Sequence, residues 1–273
     1  MITVKALVAM ALLAGCLRVP TPSTDQTAPP APEVSVTAPD ENESPAHRVV
    51  LVLGDSFAQG WGILNREQIL QSFWPGAVSL AQTGVDTRDV ATQLVQTAEL
   101  IENGLVPSLV FISLGGNNLS FLEFAQSCIF ASCPEIGDIK PRLEVMEANL
   151  TEIYRRIDEL VNSEALKAER GYLAQILVTD YPLLFRPNFN LTIGPVQVEV
   201  GATAQITDIQ LALNAAIARA VNNADIASVK LVSVEDAFTG HRLGDPTPFV
   251  AFTLHPNARG YETLLTKVAA AAQ

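Results

Sequence analysis

The sequence predicts an α/β fold in which a five-stranded parallel sheet is covered by helices on both faces, a three-layer α/β/α domain. Two observations carry this. From residue 47 onward, short apolar runs alternate with helical patterns, which is the pattern of parallel strands joined by helical crossovers. The first run, Val49-Val50-Leu51-Val52-Leu53, is apolar at every position and stops at Gly54, as a strand buried on both faces does.

The elements follow in order. Residues 49–53 are strand one and residues 66–74 a short helix. Ala77 to Leu80 is a weaker second strand that ends near Gly84. Asp86 to Asn103 reads as a helix, with Asp86 as cap and Gly104 as stop. Leu109 to Leu114 is strand three. Lys140 to Glu164 is a long helix, because Leu143, Met146, Leu150, Ile153, Ile157 and Leu160 recur at spacings of three and four. Tyr172 to Thr179 is strand four, Thr203 to Ala224 a helix, Val229 to Val234 strand five, and Asn257 to Ala271 a terminal helix. Right-handed crossovers then favour the flavodoxin-like order 2-1-3-4-5. Residues 183–202 hold Pro187 and Pro195 and are expected as an inserted loop or hairpin near the active face.

The N-terminus reads differently. Lys5 precedes an apolar stretch, Ala6 to Ala14, that is too short to span a bilayer. It ends in Leu13-Ala14-Gly15-Cys16, which resembles the lipobox of bacterial lipoproteins. Residues 1–15 are therefore expected as a signal peptide, and Cys16 as an acylated first residue anchored in the membrane. Acyl chains would hold it there at about 0.8 kcal/mol per buried methylene. Residues 17–46 are rich in Pro, Thr, Ser, Ala and Glu and carry no hydrophobic period. They are expected as a tether that reaches about 90 Å when extended. Residues 47–273 form the folded domain. Export to the cell envelope, at the outer membrane or cell surface, leaves Cys128 and Cys133 as an even pair in an oxidising compartment. A local disulfide is the expectation there.

Charge and motifs exclude other classes. A formal charge of −12 is a poor match to nucleic acid, whose binding rests on phosphate neutralisation. The three histidines lack metal-ligand spacing, and no Walker A or Gly-x-Gly-x-x-Gly sequence is present. Neither a metal nor a cofactor is expected, and the chain is expected to act as a monomer.

Gly54-Asp55-Ser56 stands at the carboxyl end of strand one, where open α/β sheets place their ligands. Gly84 follows strand two, in Gln82-Thr83-Gly84. Gly115-x-Asn117 follows strand three. His255 precedes Pro256-Asn257 and Gly260-Tyr261. These four blocks, in this order over residues 48 to 271, resemble the GDSL, or SGNH, hydrolase family. The resemblance implies an SGNH-type α/β/α fold and a carboxylic ester hydrolase. Ser56 would be the nucleophile and His255 its base, since a serine hydroxyl needs one and imidazole titrates near neutrality. The backbone N–H groups of Ser56 and Gly84 and the side-chain amide of Asn117 would form the oxyanion hole. Glycine at 84 is needed for a close approach or an unusual φ. Asp55 reads as a structural acid that caps the following helix.

Two positions depart from the family pattern. The family histidine belongs to Asp-x-x-His, but residue 252 is Phe. Asp180-Tyr181-Pro182-Leu183, Phe238-Thr239-Gly240-His241 and the cysteine pair are similar to a secreted branch of esterases and phospholipases that uses a backbone carbonyl instead. The carbonyl of Phe252 is therefore expected to orient His255, with Asp245 or Asp236 as the competing choice. Asn118 stands where the family usually has Asp. His47 reads as surface, and His241 as a loop or pocket residue.

The expected substrate is a lipid-like or small acyl ester, with Phe57, Trp61, Leu119, Phe121, Phe185 and Phe189 divided between an acyl pocket and the core. Deacetylation of envelope or plant polysaccharide is a second reading. A non-catalytic binding module on a decayed hydrolase fold is a third, from another class.

Overall fold

Strand β1, Val49–Gly54, is an interior strand of the sheet, with Val50 to Leu53 wholly buried. A computed structural model of the chain describes residues 49–130, 136–186, 190–193, 196–199, 203–251 and 253–272. The expected leader and tether, with Cys16 and His47, lie outside the described residues, as do Cys133, Phe189 and Phe252.

After β1 come α1 (Ser56–Gln59), α2 (Arg66–Phe73), β2 (Val78–Ser79), α3 (Ala91–Glu102) and β3 (Pro107–Ser113). A 3-10 turn, Gly116–Leu119, leads into α4 (Phe121–Phe130). Then follow α5 (Ile136–Val161), α6 (Glu164–Arg170), β4 (Gln175–Thr179), β5 (Asn190–Ile193), β6 (Val196–Glu199), α7 (Thr203–Ala224), β7 (Val229–Val232) and α8 (Ala258–Ala271). The main sheet has the order β2-β1-β3-β4-β7 and every pairing is parallel. Counted within the sheet, this is 2-1-3-4-5. β5 and β6 form a separate antiparallel hairpin inside the segment 183–202.

The period of two along a strand divides the core. Leu51, Leu53, Val110, Ile112, Ile176 and Val178 face α3, α5 and α7. Val50, Val52, Leu109, Phe111, Leu177 and Val232 face α2 and α8. Both faces are therefore buried. Each such side chain contributes about 1.5–3 kcal/mol relative to exposure.

Of the element ends that differ from the sequence expectation, three have a local reason. The helix expected from Asp86 begins at Ala91. The Asp86 carboxylate instead accepts from the Arg88 N–H at 2.7 Å, an Asx turn that holds residues 86–90 in turns. The long helix ends at Val161 rather than Glu164, because the Arg170 guanidinium donates to the Val161 carbonyl at 2.7 Å and to Asn162 Oδ1 at 2.9 Å. A second helix, α6, then forms and stops at Gly171, whose φ is 75°. Strand four starts at Gln175 instead of Tyr172, since Asn162 takes both the N–H and the carbonyl of Ala174. Among the described residues no helix is long and apolar enough to cross a membrane.

Candidate active site

The site is assembled from the carboxyl ends of β1, β2 and β3 and the loop before α8. β1 ends at Gly54 with φ 114°, and a Cβ there would lie 2.0 Å from the Ser113 carbonyl oxygen. Only glycine passes that close to β3. Asp55 then caps α1. Its Oδ1 accepts from the Phe57 N–H at 2.9 Å, and its own N–H donates to the Ser113 carbonyl at 2.9 Å. This fixes Ser56 as the first helical residue, with a backbone N–H that has no acceptor among the described residues.

His255 arrives from the other end of the chain. The Ser56 Oγ and His255 Nε2 are 2.8 Å apart, across 199 positions of sequence. Nδ1 lies 2.7 Å from the Thr253 carbonyl oxygen. A carbonyl only accepts, so Nδ1 carries the proton and Nε2 presents its lone pair to Ser56. The orienting carbonyl in the structure is thus that of Thr253. The expected one, that of Phe252, lies outside the described residues. Leu254 takes a left-handed φ of 61°, and its N–H closes a turn on the Ala251 carbonyl at 2.9 Å. That turn folds the chain back so that the carbonyl two residues before His255 meets its ring. Asp245 and Asp236 are engaged elsewhere. Asp245 accepts from the Arg242 N–H at 2.7 Å and Asp236 pairs with the Arg242 side chain at 3.6 Å.

The residues after His255 lock this loop. Asn257 caps α8 by accepting from the Gly260 N–H at 3.1 Å, and its Nδ2 donates to the Pro248 carbonyl at 2.8 Å. A Cβ on Gly260 would stand 2.4 Å from the Phe249 carbonyl oxygen. The Tyr261 hydroxyl donates to the Ala58 carbonyl at 2.9 Å and ties α8 to α1. The helix that carries Ser56 is thus tied directly to the helix that follows the His255 loop.

Burial lowers the pKa of His255 below its ordinary value, against a smaller opposing pull from the Thr253 carbonyl. The cover is aromatic, with the Trp61 ring 4.6 Å and the Phe57 ring 5.6 Å from the imidazole. Gly84 has φ 82°, and an added Cβ would meet nothing within 4 Å. Its need is therefore the left-handed backbone, not a close approach. Asn117 donates one amide hydrogen to the Val85 carbonyl at 2.8 Å, which orients the side chain and leaves its second hydrogen available.

A family model described as the GDSL-like lipase/acylhydrolase family matches residues 52–263. The chain belongs to this family. The fold of this GDSL-family hydrolase is shared with solved structures of low sequence identity. The extracellular lipase of Streptomyces rimosus is 20% identical, with a TM-score of 0.55 over 81% of this chain and 98% of its own. LAE5, an alpha/beta hydrolase from the metagenome of Lake Arreo, Spain, is 17% identical, with a TM-score of 0.51 over 83% and 95% of the two chains. The acetylxylan esterase Axe2 of Geobacillus stearothermophilus is 14% identical, with a TM-score of 0.50 over 83% and 94%. The chain has no detectable match among curated proteins.

The remaining residues of this GDSL-family chain divide clearly. Asn118 braces the adjoining loop. Its Oδ1 accepts from the Thr87 N–H at 3.2 Å, and its Nδ2 donates to Thr87 Oγ1 at 2.8 Å. His241 stacks on Phe249 at 3.9 Å and bonds the Thr247 carbonyl at 2.8 Å. It is a loop histidine, bonded to its own loop. Of the expected pocket residues, Leu119 and Phe185 are core, and Phe121 packs against the core beside Phe124. The Cys128 side chain is buried on α4. A cavity of about 110 Å³ lined by Gln59, Arg66, Glu67, Leu70, Ser79, Ala81 and Tyr261 touches neither Ser56 nor His255.

Sequence reasoning passed over three buried amides. Gln93 holds both the N–H (2.7 Å) and the carbonyl (2.8 Å) of Gly54. Asn214 does the same for Tyr181, at 3.0 and 2.8 Å. Gln210, one turn earlier, holds Leu184 and Pro182 at 3.2 and 2.6 Å. Their one sequence signal is an amide in the apolar phase of a helix.

Proposed function

We propose that the protein is a carboxylic ester hydrolase that works through a Ser56–His255 dyad and an acyl-enzyme. The observation that carries this is the 2.8 Å contact between Ser56 Oγ and the unprotonated Nε2 of His255. Ser56 Oγ attacks the ester carbonyl as its proton passes to His255 Nε2. The C–O bond to the alcohol then breaks, and His255 returns the proton to the leaving oxygen. Water repeats the sequence on the acyl-enzyme and frees the acid. The negative oxygen of each tetrahedral intermediate is met by the N–H groups of Ser56 and Gly84 and the second amide hydrogen of Asn117. The Thr253 carbonyl serves where the family has an aspartate: it holds the tautomer and orientation of the ring.

The aromatic wall of Phe57 and Trp61 beside the dyad supports a lipid-like or small acyl ester as substrate. Export as a lipoprotein acylated at Cys16, monomeric and stapled by a Cys128–Cys133 disulfide, completes the proposal. It rests on the sequence features at residues 1–46 and on the cysteine count.

Hydrolysis of a p-nitrophenyl ester series, from acetyl to long acyl, tests the chemistry. Activity is expected to vanish in Ser56→Ala and His255→Ala, and a fluorophosphonate is expected to label Ser56. Activity that persists in Ser56→Ala refutes the dyad. A preference confined to acetyl esters favours polysaccharide deacetylation over the acyl-ester reading.

A further inference from the structure

Tyr181 follows β4 and has no part in the chemistry above, yet its hydroxyl is the meeting point of three loops. It donates to Asp55 Oδ2 at 2.5 Å. It accepts from the Gly116 backbone N–H at 2.9 Å. The hydroxyl thus both donates and accepts, using its one hydrogen and one of its lone pairs. The ring is fixed by an edge-to-face contact with Phe57 at 5.0 Å, and the Tyr181 backbone is held at both ends by Asn214.

The partners give this node its meaning. Asp55 is the cap of α1, and its other oxygen holds the Phe57 N–H, next to Ser56. Gly116 opens the 3-10 turn that carries Asn117. Asn117 in turn is bonded to the Val85 carbonyl, beside Gly84. A series of hydrogen bonds, joined through the chain between Gly116 and Asn117, therefore runs from the Ser56 elbow through Asp55 and Tyr181 to the Asn117 amide and the Gly84 loop. A ring that only filled space would need no buried hydroxyl bonded on both sides. We propose that Tyr181 is a positioning residue that holds the Asn117 oxyanion donor in fixed relation to Ser56. This rests on the ester-hydrolase reading. Its physical basis is that a misplacement of about 1 Å in a reacting group lowers rate by about 10²-fold.

The test is Tyr181→Phe, which keeps the ring and removes the node. kcat is expected to fall roughly 10–100-fold with KM nearly unchanged. Affinity for a boronic acid, which forms a tetrahedral adduct on Ser56, is expected to fall by a similar factor. Asn117→Ala is expected to cost about 10²–10³-fold alone, and far less when added to Tyr181→Phe, because its donor is already displaced. Gly116→Ala provides a second variant on another element. Its Cβ would stand 3.3 Å from Tyr181 Cζ and 3.4 Å from the hydroxyl, so it crowds the same bond, and it decides the matter should Tyr181→Phe not fold. Fully additive losses, or a lowered melting temperature with kcat intact, overturn the proposal. A wild-type protein that hydrolyses no ester and takes no label at Ser56 refutes the ester reading instead. The crystal structure of Tyr181→Phe then judges the positioning separately: Asn117 displaced sustains it, and Asn117 unmoved overturns it.

Discussion

His255 sits under Trp61 and Phe57 and is kept neutral by burial, so that its Nε2 lone pair is ready at ordinary pH. The acid limb of kcat/KM is expected below pH 6.5, the ordinary value for histidine. Trp61→Ala admits water to the ring and is expected to move that limb upward. A pH profile of both proteins checks this, and an unshifted limb speaks against desolvation as the cause. Asn118 illustrates a different point. Its neighbour Asn117 bonds the Val85 carbonyl, whereas the Asn118 side chain serves Thr87. An aspartate there still accepts from the Thr87 N–H, and the Thr87 hydroxyl turns to donate to it. Asn118→Asp is therefore expected to change stability by less than about 1 kcal/mol, while Asn118→Ala loses about 1–3 kcal/mol by orphaning the Thr87 N–H. Urea denaturation of the two variants separates these outcomes. The departure from the family residue was visible in the sequence. Its harmlessness was not, since it depends on which groups Thr87 offers.

Strands and long helices were readable from periodicity because β1, β3 and β4 bury both faces and α5 buries one. What supports the irregular chain beyond the strand ends was not readable. A parallel sheet leaves peptide groups unpaired where its strands leave the ladder, and buried peptide groups require partners. Gln93 supplies them for Gly54, and Gln210 and Asn214 supply them for residues 181–184. These amides occupy apolar phases of α3 and α7, so composition alone makes them look like interruptions. Gln93→Leu is expected to destabilise by about 1–3 kcal/mol, chiefly through the orphaned Gly54 N–H, because the Gly54 carbonyl keeps the Gln82 N–H at 3.1 Å. It is also expected to lower kcat by loosening the Ser56 elbow. Denaturation and ester hydrolysis on the one variant measure both. Gln93→Glu, which keeps one acceptor, is expected to lose less.

For the molecule as a whole, the buried Asp55 links stability to pH. Burial raises its pKa from 3.8 to about 6, even though Tyr181 and the Phe57 N–H favour the charged form. A carboxyl whose folded pKa is raised contributes stability that is complete below pH 3.8 and is lost as pH rises through about 6. The difference corresponds to about 3 kcal/mol. Asp55→Asn removes this dependence. Between pH 4 and pH 7, stability is expected to shift by about 2 kcal/mol in favour of the variant relative to wild type. Urea denaturation of both across that range tests it, and parallel curves would refute it.

By itself the sequence determined the layer architecture and the strand order, because apolar periodicity and crossover handedness are local or topological rules that need no side-chain contacts. It also marked which strand ends carry Ser56, Gly84 and Asn117. Only the tertiary structure decided that the Thr253 carbonyl meets His255, that Gly84 is needed for its φ, and that Tyr181 joins three loops. The Tyr181 junction depends on where chain segments 126 residues apart come to rest, and the Thr253 contact on a left-handed turn at Leu254 that its residue type does not announce. Hydrogen bonds act over about 3 Å, and no pattern in a linear sequence specifies distances on that scale.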